Sequence, residues 1–265
     1  MLEFIARCLM RAGRILACAT LLAMLAPFAY AVWMSFAPGE LLEPPTDRWS
    51  LHWYREFLGS SRWLGALRTS FEVAAMSVAG SLLGGLGLAV AVTRFHFQGR
   101  RLLSGAVLLP MFVPAVVLAM GLLPLMMNTC LHGTTVAIAV AHSLVSLPVV
   151  FLLLRSTLLQ VDRELEQAAR GLGAGPFVAF KRVTLPMIYP AVLAGAVIAF
   201  ILSANEFILA QFLSTPRVRT LPAALWPMAR DKETPLLAAS SCLMVLFTLA
   251  GMWISARLLH QKGEK

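Results

Sequence analysis

Few residues in this sequence have both the type and the setting for chemistry. Glu206 follows Asn205 at the end of an apolar run, Val183–Asn205. A carboxylate at the centre of a bilayer costs about 2.5–3.5 kcal/mol on insertion scales, so one that occurs there faces a cavity, a partner or the interface. An acid beside an amide suits contact with a cation; the plainer account is a structural hydrogen bond. His142, with Ser143 and Ser146, lies in another apolar run and suits a polar cavity or an interhelical hydrogen bond. Glu72 lies one turn after Arg68, where an i, i+4 ion pair suffices. None of these groups forms a catalytic set. There is no HExxH and no GxSxG. There is no Gly-x-x-x-x-Gly-Lys-Ser/Thr loop, so the chain has no means of its own to hydrolyse ATP. Cys8, Cys18, Cys130 and Cys242 show no CxxC spacing and read as small apolar packing residues, with no metal site implied.

The elements that carry these residues follow from composition. The chain has 265 residues, 59% hydrophobic and 13% charged, with a mean hydropathy of +0.78. Soluble domains carry roughly 25% charged residues, so an ordinary soluble enzyme and a disordered chain are both excluded. The net charge of +9 is dispersed between apolar runs and forms no stripe, which argues against nucleic acid as a partner and leaves membrane lipid.

The expected fold class is therefore an all-α membrane protein. A spanning helix needs about 20 apolar residues. Six transmembrane helices are expected, at about 15–37, 69–93, 102–127, 134–156, 187–212 and 235–258, in a single transmembrane domain over 1–265. The third and fourth come from one charge-free stretch, Leu102–Leu154, divided by a turn at Asn128–Thr134. The first run is longer than the 7–15 residues usual for the apolar part of a leader and reads as a span. Fourteen of the 22 Lys and Arg residues fall on the side shared by the two termini and the second and fourth loops, which places both termini in the cytoplasm. On the outer side, Glu40, Glu43, Asp47, Glu56, Asp231 and Glu233 offset the basic residues. The outer segment Pro38–Leu67 predicts an amphipathic surface helix from about Ser50 to Leu58. A second polar excursion covers Ser214–Pro235. Gly80 and Gly84 predict close helix packing. Pro110, Pro114, Pro124 and Pro148 lie inside spans and permit kinks.

The inner loop at 157–186 is too patterned for a simple connection. Asp162 is a candidate N-cap, and Glu164 and Glu166 fall in the first turns, where carboxylates favour the helix dipole. Leu165, Ala168, Ala169 and Leu172 share one face. Gly171 and Gly173 stop the helix. Pro176 then opens a second short helix with Phe177, Phe180 and Val183 on its apolar face, and Pro186 follows.

Gln167-Ala168-Ala169, Gly173 and Val183-Thr184-Leu185-Pro186 resemble the EAA loop of permease subunits of bacterial binding-protein-dependent ABC importers. That motif runs Glu-Ala-Ala, three residues, Gly, nine residues, Ile-x-Leu-Pro, and every interval is met. Gln167 stands where the family has glutamate, and Val183 where it has isoleucine. Ala204-Asn205-Glu206-Phe207 and Thr220-Leu221-Pro222 resemble the spermidine/putrescine-type branch of the family.

The resemblance implies a type I ABC importer permease fold in the bacterial inner membrane and transport by alternating access. It implies three kinds of protein partner: a cytoplasmic ATPase dimer, a second and different permease, and a periplasmic solute-binding protein. ATP and Mg would be bound by the ATPase partners, with no cofactor on this chain. The residues it assigns to ATPase coupling are Glu164, Glu166, Gln167, Ala168, Ala169, Arg170, Gly173, Leu185 and Pro186. Glu206, Asn205 and His142 are the candidates for the substrate path. A polyamine is the first expected substrate, with ferric iron, thiamine, phosphonate or another organic solute as alternatives. A stand-alone secondary transporter is the rival reading, and the coupling-loop pattern argues against it.

Overall fold

The computed structural model describes residues 2–40, 43–45, 48–231 and 234–263. Asp47, Lys232, Glu233 and Lys265, which enter the charge count above, lie outside the described residues, as do the side chains of Arg7, Cys8, Arg11, Asp231 and Lys262. Among the described residues the secondary structure is helical throughout. Among the described residues, four helices are by length and composition able to cross a membrane: Ala12–Met34, Ser61–Arg94, Thr135–Gln160 and Pro176–Asn205. A bent pair, Arg100–Met111 with Ala115–Met127, makes a fifth if counted as one span, and Pro235–Ala250 is a shorter apolar helix.

The chain divides into two compact units. The first comprises Met1–Ser61 and Pro227–Phe247. It holds α1 (Leu2–Met34), the surface helix α2 (His52–Gly59) and the first part of α12 (Pro235–Gly263). The surface helix forms close to where its amphipathic pattern predicts. Trp53 and Phe57 are its buried side chains. Trp53 Nε1 donates to the Ala37 carbonyl at 3.1 Å, and the Tyr54 hydroxyl lies 2.7 Å from Ser35 Oγ. Burial pushes the Tyr54 phenol above its ordinary pKa, opposed by the Ser35 hydrogen bond.

The second unit comprises Arg62–Trp226 and Thr248–Lys265. Its frame is α3 (Ser61–Arg94), α6 (Thr135–Gln160) and α9 (Leu185–Asn205). Ala89, Val92, Val150, Phe151, Leu154 and Ile188 form one buried cluster of these helices. The glycines of α3 explain the close approach to α6. A Cβ on Gly80 would lie 2.6 Å from Ser143 Oγ, and one on Gly84 would lie 2.8 Å from Leu147 Cδ1. The GxxxG pair thus packs within this chain. A second cluster joins α5 (Ala115–Met127), α6 and α10 (Ile208–Leu213) through Ala119, Met126, Ile138, Ala141, Leu209 and Leu213.

Four segments depart from the sequence expectation, the first being the expected fifth span at 187–212, which breaks between α9 and α10 at Glu206 and Phe207. The stretch expected as a continuous third span breaks into α4 (Arg100–Ala106), a 3-10 turn at Leu109–Met111 and α5, with a bend of 102°. Pro114, the N-cap of α5, has φ −55° and ψ 135°, an extended conformation that interrupts the helical path. The short helix at Pro176 does not end at Pro186. It runs as α8 (Pro176–Ala179) through a π-helical turn at Phe180–Thr184 into α9. The widened turn accommodates a proline that has no N–H to donate backward. The excursion at Ser214–Pro235 contains a helix, α11 (Leu221–Asp231), anchored where the Leu221 N–H donates to Ser70 Oγ at 2.7 Å.

Candidate coupling site and the polar residues of the membrane helices

The loop after α6 folds into α7 (Arg163–Gly171), capped at both ends. Asp162 Oδ1 accepts the Glu164 N–H at 2.9 Å. Glu164 and Glu166 occupy the first turn and Arg170 the last, each charge complementing the dipole. At the other end Ala174 N–H donates to the Ala169 carbonyl at 3.1 Å and Gly173 N–H to the Arg170 carbonyl at 3.0 Å. With Gly173 at φ +92°, these two bonds make a Schellman motif. The interval from Ala169 to Gly173 is therefore a geometric requirement, since the left-handed residue must sit four positions beyond the carbonyl that closes the motif. A helix this short is marginal by itself in water, so its caps and tertiary ties hold it.

One face of α7 turns inward. Arg94, the last residue of α3, places Nη2 2.9 Å from Glu166 Oε1, with the two side chains 11% and 21% exposed. Thr184 Oγ1, in the π-helical turn, donates to the same carboxylate oxygen. Arg163 Nη2 donates to the Thr93 carbonyl in the last turn of α3, where helix carbonyls lack intrahelical donors. A cavity of about 450 Å³ lies against this joint, lined by Arg94, Glu166, Gln167, Arg170 and Phe177 among others.

The other face is bare. None of the α7 side chains is buried. Leu172 is 91% exposed and Phe177 is 74% exposed, with Leu165 and Val178 also exposed. Glu164, Gln167, Ala168, Arg170 and Gly173 are exposed, Ala169 and Leu185 are half-buried, and Pro186 is exposed. Leu185 and Pro186 thus belong to the base of α9 and sit apart from the exposed tip.

Each of the substrate-path candidates has a hydrogen-bond partner within the chain. His142 is buried, and its Nδ1 lies 2.9 Å from Ser203 Oγ on α9, an interhelical hydrogen bond. Glu206 is half-buried at the break between α9 and α10. Its Oε1 accepts the Leu209 N–H at 3.0 Å, satisfying a first-turn donor of α10 from the residue before the N-cap, Phe207. Asn205 Nδ2 turns back to the Ile201 carbonyl at 2.9 Å. Beyond the break, Phe207 packs on Trp226 with ring centroids 4.6 Å apart. Arg68 and Glu72 form the expected surface pair at 2.8 Å. Among the described residues no three His, Cys, Asp or Glu side chains gather to hold a metal.

Sequence reasoning missed Arg94, Thr93 and Thr184. Arg94 was visible only as a cation ending an apolar run, and Thr184 only as a variable position inside the loop motif.

Residues 81–262 match the family described as binding-protein-dependent transport system inner membrane component. The putrescine transport system permease protein PotI of Escherichia coli (strain K12) is 31% identical over 74% of this chain and 73% of its own length. The spermidine/putrescine permease PotC of the same strain is 29% identical over 80% of each chain. The molybdenum transport system permease protein ModB of Haemophilus influenzae is 29% identical over 76% of this chain and 97% of its own length. In fold, the chain resembles a bacterial ABC transporter involved in alginate import, with TM-score 0.71 at 15% identity over 96% of both chains. It also resembles the inward-facing MetNI methionine ABC transporter, with TM-score 0.60 at 19% identity over 77% of this chain and 99% of that one.

Proposed function

Because the chain belongs to the family of binding-protein-dependent transport system inner membrane components, we propose that it is one of two different permeases lining an ATP-driven import pathway in the bacterial inner membrane. In this reading it has six spans and two cytoplasmic termini. A periplasmic binding protein delivers the solute, and a cytoplasmic ATPase dimer supplies ATP hydrolysis. The observation that carries the reading is the tip of the inner loop. Leu172, at the C-terminal cap of α7, and Phe177, on α8 just beyond it, stand uncovered. Exposed large apolar side chains beside Glu164, Gln167 and Arg170 suit a partner groove with an apolar centre and a polar rim.

The proposed cargo is a polyamine. The half-buried Glu206 carboxylate supports a cation, and the names of the relatives PotI and PotC point the same way. Another small solute is the second reading, favoured by the similar identity to ModB.

The test is mild solubilisation of the tagged chain, identification of stoichiometric partners, and reconstitution in proteoliposomes with putrescine, spermidine and molybdate. Recovery of an ATPase at two copies with a second permease, and polyamine-stimulated hydrolysis, is the expected result. Intact protein that brings down no ATPase would overturn the importer reading; stimulation by molybdate alone would overturn the cargo.

A further inference from the structure

We propose that Glu166 is a positioning residue that ties the coupling helix to the membrane helices, with Arg94, Thr184 and Arg163 as the other members of the joint. The proposal rests on the importer reading above and deepens it. It replaces the expectation that Glu166 touches the ATPase.

Three observations carry it. First, the carboxylate faces inward. Glu166 is the least exposed of the charged residues on α7, and its Oε1 is engaged by both Arg94 and Thr184 within the chain. Second, the attachment points are helix ends. Arg94 closes α3, and Thr184 closes the π-helical turn that leads into α9. Arg163 makes a second tie to the end of α3 through the Thr93 carbonyl. A displacement of α7 therefore acts on α3 and α9 together, and α3, α6 and α9 share one buried cluster. Third, α7 buries no side chain of its own. Its orientation depends on its caps, its chain ends and these ties. Arg94 Nε and Nη2 are both buried without a hydrogen-bond partner, so the 2.9 Å contact with Glu166 acts as an ion pair. Loss of Glu166 would leave a largely buried guanidinium without its counter-charge, the costly way to break an ion pair.

The consequence is mechanical. The end of α3, α7 and the base of α9 move as one body, and the ATPase stroke enters two membrane helices at the same moment. A hinge inside this joint would instead dissipate the stroke between α7 and α3.

The experiment uses the assembled importer in proteoliposomes, read as solute transported per ATP hydrolysed. Wild-type assembly and transport are established first; failure there counts against the importer reading and not against the joint. Glu166→Ala and Arg94→Ala should retain the ATPase in the complex and its hydrolysis, while transport per ATP falls about tenfold. The exchange Arg94→Glu with Glu166→Arg should recover a large part of that loss. A second measurement avoids disruption altogether. Arg94→Cys with Glu166→Cys, in a chain freed of its other cysteines and bridged by a short bifunctional thiol reagent, should still transport. The proposal is overturned by unchanged transport per ATP in both alanine variants. It is equally overturned by loss of ATPase from the Glu166→Ala complex, or by a bridged complex that hydrolyses ATP without transport.

Discussion

Glu166 Oε1 and Arg94 Nη2 stand 2.9 Å apart, joining the inner-loop helix to the end of a membrane helix. Gln167, at the glutamate position of the motif that this loop resembles, is the next residue along. One step on an α-helix turns a side chain by about 100°, and Gln167 is exposed where Glu166 is not. The acid that matters inside this chain is thus present, and the neutral residue faces outward. The absence of charge at Gln167 removes no ion pair from the fold.

Gly173→Ala should weaken the helix end. Gly173 has φ +92°, a conformation that costs an L-residue roughly 1–2 kcal/mol. The Cβ meets nothing within 4 Å, so the penalty is conformational alone. We expect reduced ATPase recovery and reduced transport, with the thermal stability of the membrane part unchanged. Gly175→Ala, at φ −64°, is the control and should behave as wild type.

Leu172→Asp and Phe177→Asp should leave the isolated chain as stable as the wild type, because both side chains are exposed and surface substitutions usually fall within about ±0.5 kcal/mol. Co-purification of the ATPase should fall sharply in both. Equal recovery of ATPase would show that this tip is not the docking surface.

Glu206→Gln and Glu206→Ala separate the charge from the hydrogen bond. A Gln oxygen can still accept the Leu209 N–H bond that Glu206 accepts at 3.0 Å. Glu206→Gln should therefore assemble normally and lower polyamine uptake. Glu206→Ala should in addition lose about 1 kcal/mol of stability with that hydrogen bond. Unchanged uptake kinetics for Glu206→Gln would remove the carboxylate from the pathway.

Gly85→Leu should destabilise the membrane core by about 1–3 kcal/mol through overpacking. A Cβ there already lies 3.2 Å from the Phe151 backbone nitrogen, which has little room to yield, whereas Gly87 meets nothing within 4 Å. Thermal unfolding in detergent should show a loss for Gly85→Leu and little change for Gly87→Leu.

Composition and motif spacing determined a good deal by themselves. A chain 59% hydrophobic and 13% charged can satisfy its backbone in lipid only within helices or a closed barrel. Its apolar runs of helical length select the helices. The inner helix was legible because caps are local: Asp162 and Gly173 act on backbone groups within a few residues of themselves. The break after Asn205 falls inside the expected fifth span with no proline at it and carried no sequence signal of its own. The 102° bend near Pro114 was not legible as such, since proline inside a membrane helix is compatible with a kink, a break or continuity. Pro186 shows the last of these, carried through the turn at Phe180–Thr184. Pairings across the sequence were decided by the tertiary structure alone. Arg94 to Glu166, Arg163 to the Thr93 carbonyl and His142 to Ser203 each join separate helices. Their partners follow from which helix faces meet, and that is set by close packing of glycine and apolar side chains along α3, α6 and α9, which no single segment encodes.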